Sequence, residues 1–117
     1  MRIGEVIGRV TLARCHPDLQ GAVWTVVVPL SRAGLTSSTA GRGEPIVVFD
    51  ELGADLRSKI AISDGAEASA PFHPRVKPID AYCAALLDEI RVTPPAPPAQ
   101  SILPDPPAQS ILPDPPA

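Results

Sequence analysis

Aromatic residues are nearly missing from this sequence. Trp24, Phe49, Phe72 and Tyr82 are the only ones, 3% of the chain. A hydrophobic core must therefore be assembled from Val, Ile, Leu and Ala. The shortage also argues against a single-stranded nucleic-acid platform, which stacks bases on exposed rings along a basic groove. Positive charge is short as well: ten Lys and Arg face thirteen Asp and Glu, for a net charge of −3. A phosphate-backbone binder carries a basic face instead. No apolar run reaches the roughly 18–20 residues of a membrane-spanning helix. Cysteine is limited to Cys15 and Cys83. The opening residues lack the charged-then-apolar pattern of a secretory signal. Two thiols in that setting are expected to stay reduced and to bind no metal.

Catalytic and cofactor signatures are missing too. Cys15, His16 and Asp18 bring thiolate, imidazole and carboxylate together in sequence, with His73 and Cys83 as the only further soft ligands. Their spacing matches neither CxxC nor HxxxH, and a metal needs three or four convergent ligands. Adjacent residues in a turn point apart, so a Cys-His nucleophile pair is not formed either. Glu44, Asp50, Glu51 and Asp55 read as solvated loop charges. GRGE at 41–44 has two glycines but no phosphate-loop spacing.

Proline, by contrast, is abundant and unevenly placed. Ten of the sixteen prolines lie between Pro94 and Ala117. That composition divides the chain into a folded part, 1–93, and a proline-rich tail, 94–117, that cannot build a core and is expected to be disordered. The tail contains a perfect nine-residue repeat, PAQSILPDP at 98–106 and again at 107–115. Each copy carries one apolar pair, Ile102-Leu103 and Ile111-Leu112. Two readings stand: a flexible spacer, or a two-copy ligand whose Ile-Leu pairs dock in a groove on a partner and gain avidity. Without its two aspartates, Asp105 and Asp114, the folded part has a charge near −1.

The folded part is rich in strand patterns. MRIGEVIGRV opens a strand over 2–13, interrupted by Gly4 and Gly8. Interior glycine is expected where a strand bends or another backbone comes close, and Gly8 is placed at a barrel bend. Pro17, Asp18 and Gly21 make a turn. Residues 22–30 form a second strand, and Val26-Val27-Val28 requires cover on both faces. Residues 31–43 read as a polar loop. Residues 44–50 and 58–64 read as strands three and four, joined by a turn around Gly53. Residues 65–72 fit a short helical turn. Residues 79–90 read as a helix, because Ala84, Leu86, Leu87 and Ile90 have helical spacing behind Asp80. A fifth strand closing a barrel is the alternative.

Four segments together carry a family resemblance: MRIGEVIGRV, PDLQGAVWTVVVPL, FDELGADLRSKIAISDGAEA and KPIDAYCAALLDEI. In this order and spacing the chain resembles the EutN/CcmL family, the pentameric vertex proteins of bacterial microcompartments and carboxysomes. The resemblance covers about residues 1–91. It implies a mainly β fold, a small OB-like barrel with one or two short helices. It also implies a homopentamer at the fivefold corners of a cytoplasmic shell, contacting hexameric and pseudohexameric shell proteins. It implies no enzyme activity, no cofactor, no nucleic acid and no membrane. Gly8, Gly21 and Gly53 are the structural glycines of this reading. A small OB-fold adaptor whose repeat tail binds a protein partner is the competing one.

Overall fold

A computed structural model of the chain describes residues 1–21 and 23–93. The repeat, with Ile102, Leu103, Ile111 and Leu112, lies outside the described residues. The strands are β1 (Arg2–Val10), β2 (Val23–Leu30), β3 (Ile46–Asp50), β4 (Lys59–Asp64) and β5 (Ala81–Leu86). They close into a barrel in the order β1-β2-β3-β5-β4. All neighbours are antiparallel except β3 and β5, which run parallel and share the register pair Phe49–Tyr82. This is the mainly β, OB-like barrel that the strand order implies.

Alternation decides what goes inside. Val6, Val27, Val48, Ile60, Ile62, Ala81 and Cys83 form the interior, joined by Ala54 from the β3–β4 turn. Five strands enclose little space, and β-branched side chains fill it without rings. Even so, one position must be empty. A Cβ on Gly4 would lie 2.4 Å from Val27 Cγ1 and 2.7 Å from Ile62 Cδ1. Gly4, not Gly8, is therefore the obstructed glycine of β1. Gly8 lies within the strand just past a register shift, where Ile7 is the extra residue. A Cβ there would approach nothing closer than Val26 Cβ at 3.9 Å, an ordinary contact. The bulge bends the strand by its unpaired residue.

Two polar side chains are also inside. Thr25 Oγ1 donates to the Val48 carbonyl at 3.4 Å. Asp50, assigned from sequence to the solvated loop charges, is 1% exposed. Its carboxylate accepts from the Leu52 and Ala54 amides, both at 2.8 Å, and so shapes the β3–β4 turn. The interior thiol of Cys83 is pushed up to about 12, first by burial and then by the neighbouring Asp50 carboxylate.

Three sequence expectations need correction or refinement. Residues 79–90 are not a helix: Ala81–Leu86 is β5. Ala81 and Cys83 point inward, and the strand covers the free edge of β4. Edge pairing outweighs the helix propensity of Ala and Leu, which is worth only tenths of a kcal/mol per residue. Residues 31–43 are not one loop. They contain a short helix, α1 (Arg32–Leu35), and a 3-10 turn, Thr39–Gly41. The short helical turn expected at 65–72 is a 3-10 segment, Gly65–Phe72.

Gly21 and Gly53 have φ of +81° and +80°. Nothing lies within 4 Å of a Cβ built on Gly53, so a side chain there meets backbone strain and no clash. Gly53→Val is expected to cost about 1–2 kcal/mol, the penalty of the left-handed region for a β-branched residue. A denaturant midpoint unchanged from the parent would contradict this.

Candidate assembly interface

The outer wall of the barrel is unusually apolar on one side. Gly8, Val26 and Val47 lie directly opposite one another across β1, β2 and β3. Cross-strand partners share a face, so the three form one outward row. Val47 is 43% exposed and Val26 half-buried. Gly8 leaves the β1 end of the row flat. Two residues along each strand, Val10, Trp24 and Phe49 make a second outward row. The valine run of β2 thus places Val27 in the core and Val26 on the outside.

The four aromatic residues gather on this outer wall and not in the interior. Trp24 and Phe49 meet edge to face at 5.2 Å, as do Phe49 and Phe72 at 5.5 Å, and Phe72 and Tyr82 at 5.5 Å. Phe49 is 2% exposed because Phe72 and Lys77 cover it. The Lys77 ammonium lies 4.7 Å from the Phe72 centroid and donates to the Asp18 carbonyl. Tyr82 Oη donates to Glu51 at 3.2 Å. The strap after the 3-10 segment is fastened again by Arg75, 2.9 Å from Asp18. One aromatic cluster therefore fixes residues 72–77 against the barrel.

A second exposed pair, Ile7 and Leu56, lines a shallow cleft of about 160 Å³ with Glu5, Arg42 and Arg57. Glu5 is the polar anchor of that side. Arg42 approaches it at 2.7 Å and Lys59 at 3.6 Å. The hydrogen bond from Arg42 holds the Glu5 carboxyl below the usual carboxylate range, against the opposing effect of burial. The contact ties the 31–43 segment to β1. Within that segment the backbone also crosses itself closely: a Cβ on Gly41 would lie 1.9 Å from the Gly34 nitrogen. The sequence alone marks neither glycine, since both read as loop residues.

The residues considered for chemistry are dispersed. His16 Nδ1 accepts from the Asp18 amide at 3.1 Å, capping the 3-10 turn Pro17–Leu19. Cys83 faces the interior, whereas Cys15 is half-buried in the β1–β2 connection, and both are free. Among the described residues no group of three His, Cys, Asp or Glu side chains is placed to hold a metal.

The closed five-stranded barrel thus leaves apolar side chains facing outward at Ile7, Val47 and Leu56. Comparison with known proteins defines it further. Residues 1–88 match the family model described as ethanolamine utilisation protein EutN/carboxysome, and the chain belongs to this EutN/CcmL family. It is 33% identical over 92 residues to the carboxysome shell vertex protein CcmL of Synechococcus elongatus, covering 79% of this chain and 88% of that one. Among solved structures it is similar to the GrpN pentameric microcompartment shell protein of Rhodospirillum rubrum. Identity there is 26% and the TM-score 0.66, over 80% of this chain and 100% of that chain. It is also similar to CcmL of Gloeobacter violaceus, at 26% identity and a TM-score of 0.62, over 79% and 90% of the two chains.

Proposed function

We propose that residues 1–93 assemble as a homopentamer that caps the fivefold vertices of a bacterial microcompartment shell in the cytoplasm. The pentameric relative that matches over its full length supports this reading most directly. The outer row of Gly8, Val26 and Val47 supplies one face of the subunit contact. Ile7, next to Gly8 in β1, extends that face, and each copy meets the next with an unlike surface, as a closed ring requires. A permanent interface of that kind is large and apolar. It would stabilise a barrel whose own core is small. The protein acts as a structural part and not as an enzyme, and its rim meets hexameric and pseudohexameric shell proteins.

Shell closure tests the function. Hexameric tiles of the same shell expressed with this chain should give closed polyhedra in electron micrographs. The same tiles without it should give sheets, tubes or open shells. Closed polyhedra of equal yield in both cases would overturn the vertex role.

The barrel boundary at Thr93 and the dispensability of the tail for assembly belong to the same proposal. A chain stopped at Thr93 is expected to form rings as well as the full chain, judged by size-exclusion chromatography with light scattering. Loss of the ring on truncation would make the tail part of the structure. Retention of the ring with loss of a bound protein would favour the adaptor reading for the tail.

A further inference from the structure

We propose that the cleft at the far end of β1 and β2 seats an Ile-Leu pair of the chain's own nine-residue repeat. The cleft encloses about 440 Å³ between the end of β1, the start of β2 and the connection that joins them. Val10, Leu12, Leu19 and Trp24 give it an apolar lining, and Arg9 and Cys15 line it as well. Leu12 is 42% exposed, so apolar surface is left facing water.

Composition, charge and reach select the occupant. Each repeat presents one branched apolar pair, flanked by proline, with an aspartate two positions later: Asp105 after Leu103, Asp114 after Leu112. Among the described residues no carboxylate pairs with Arg9 or with Arg14 nearby. Arg9 gives one hydrogen bond to the Ala54 carbonyl at 3.4 Å, which leaves its charge unmatched, so an acidic residue following the apolar pair would meet a positive edge.

The reach follows from where the described chain ends. Arg32, just beyond β2, donates to the Thr93 carbonyl, which sets the tail's origin beside the Leu30 end of that strand. The cleft lies at the opposite end, where Trp24 pairs with Val10. Six residues of strand separate Leu30 from Trp24, about 20 Å at 3.3 Å each. Nine residues separate Thr93 from Ile102, about 28 Å in extended proline-rich chain at 3.1 Å each. The first Ile-Leu pair thus arrives at the cleft with a short allowance for the path around the wall. The second pair lies a further nine residues on and overshoots, which places it to reach the cleft of another subunit. Only that last point rests on the ring proposed above. A tethered segment has an effective concentration in the millimolar range, so weak intrinsic affinity is sufficient for occupancy. Docking orders a few residues and leaves the tail without a core of its own.

Trp24 is the only tryptophan of the chain and lines the cleft, so its fluorescence reports occupancy directly. The comparison is between the full chain and a full chain carrying Ile102→Asp, Leu103→Asp, Ile111→Asp and Leu112→Asp. The fourfold variant is expected to emit to the red of the parent. Adding the synthetic peptide PAQSILPDP should shift its emission back to the blue, and a peptide with Asp-Asp in place of Ile-Leu should not. Identical spectra for the two chains, with no response to either peptide, would overturn the proposal. A chemical arm uses Cys15. In a full chain carrying Ser101→Cys, mild oxidation should join Cys15 to the introduced thiol, within or between subunits. Adding Ile102→Asp and Leu103→Asp should abolish that bond. Three free thiols per chain in Ser101→Cys after the same oxidation, Cys15 and the introduced thiol among them, would also overturn the proposal. Masses of the intact assemblies, recorded alongside, separate failure of the ring from failure of the docking. A monomeric parent leaves the fluorescence comparison intact.

Discussion

Gly41→Ala should destabilise the barrel by about 3 kcal/mol, a large effect for one methyl group. The added Cβ would lie 1.9 Å from the Gly34 nitrogen, 2.5 Å from the Gly34 Cα and 2.6 Å from the Ala33 carbonyl carbon. All three are backbone atoms, so no rotamer change relieves the overlap. The crossing must open, and with it the bond from the Ser31 amide to the Gly41 carbonyl at 2.9 Å. The ion pair of Arg42 with Glu5 is then displaced as well. Gly43 provides the control. A Cβ there approaches nothing closer than 3.4 Å, and Gly43→Ala should fall within about 0.5 kcal/mol of the parent. Equal urea midpoints for the two variants would contradict the crossing.

Val47→Glu should dissolve the ring while sparing the barrel. Val47 faces outward and is 43% exposed in the single subunit, so a carboxylate there remains hydrated when the chain is alone. In the proposed contact the same carboxylate is desolvated against an apolar neighbour. The penalty is on the order of 2–4 kcal/mol at each of five equivalent contacts, because closure repeats it around the ring. The expected outcome is a subunit-sized species by sedimentation velocity with a parent-like far-UV spectrum. A ring of undiminished stability would place the contact elsewhere on the surface.

How much of this was legible before folding depended on which interaction decided each element. The first four strands could be read because apolar alternation and turn residues agree with the barrel. The fifth could be read only as the alternative to a helix. Ala84, Leu86, Leu87 and Ile90 satisfy helical spacing, and only the unpaired edge of β4 makes Ala81–Leu86 a strand. That edge is a tertiary fact. The same holds for glycines. Gly53 announces itself by its place in a short stretch between two strand patterns, with Glu51 two residues before it and Asp55 two after. Gly4 and Gly41 matter because of atoms from distant segments, Val27 and Ile62 for one, Gly34 for the other. Asp50 looks like its neighbour Glu51 in sequence, yet it points inward and clamps a turn.

The outer surface was legible in part. Three consecutive valines in β2 cannot all face one side of a strand, so cover on both sides was required. Which neighbours complete the outer row needed the register, through Gly8 and Val47. The aromatic cluster was invisible in the same way. Trp24, Phe49, Phe72 and Tyr82 are far apart in sequence and meet on one wall.

The central claim is that this barrel is a ring-forming subunit, and native mass spectrometry of the full chain tests it most directly. A single chain has a mass of 12.2 kDa. The account predicts a dominant species of five chains, five times 12.2 kDa or about 61 kDa, at micromolar concentration without metal or nucleic acid. A spectrum dominated by monomer or dimer under the same conditions would contradict it.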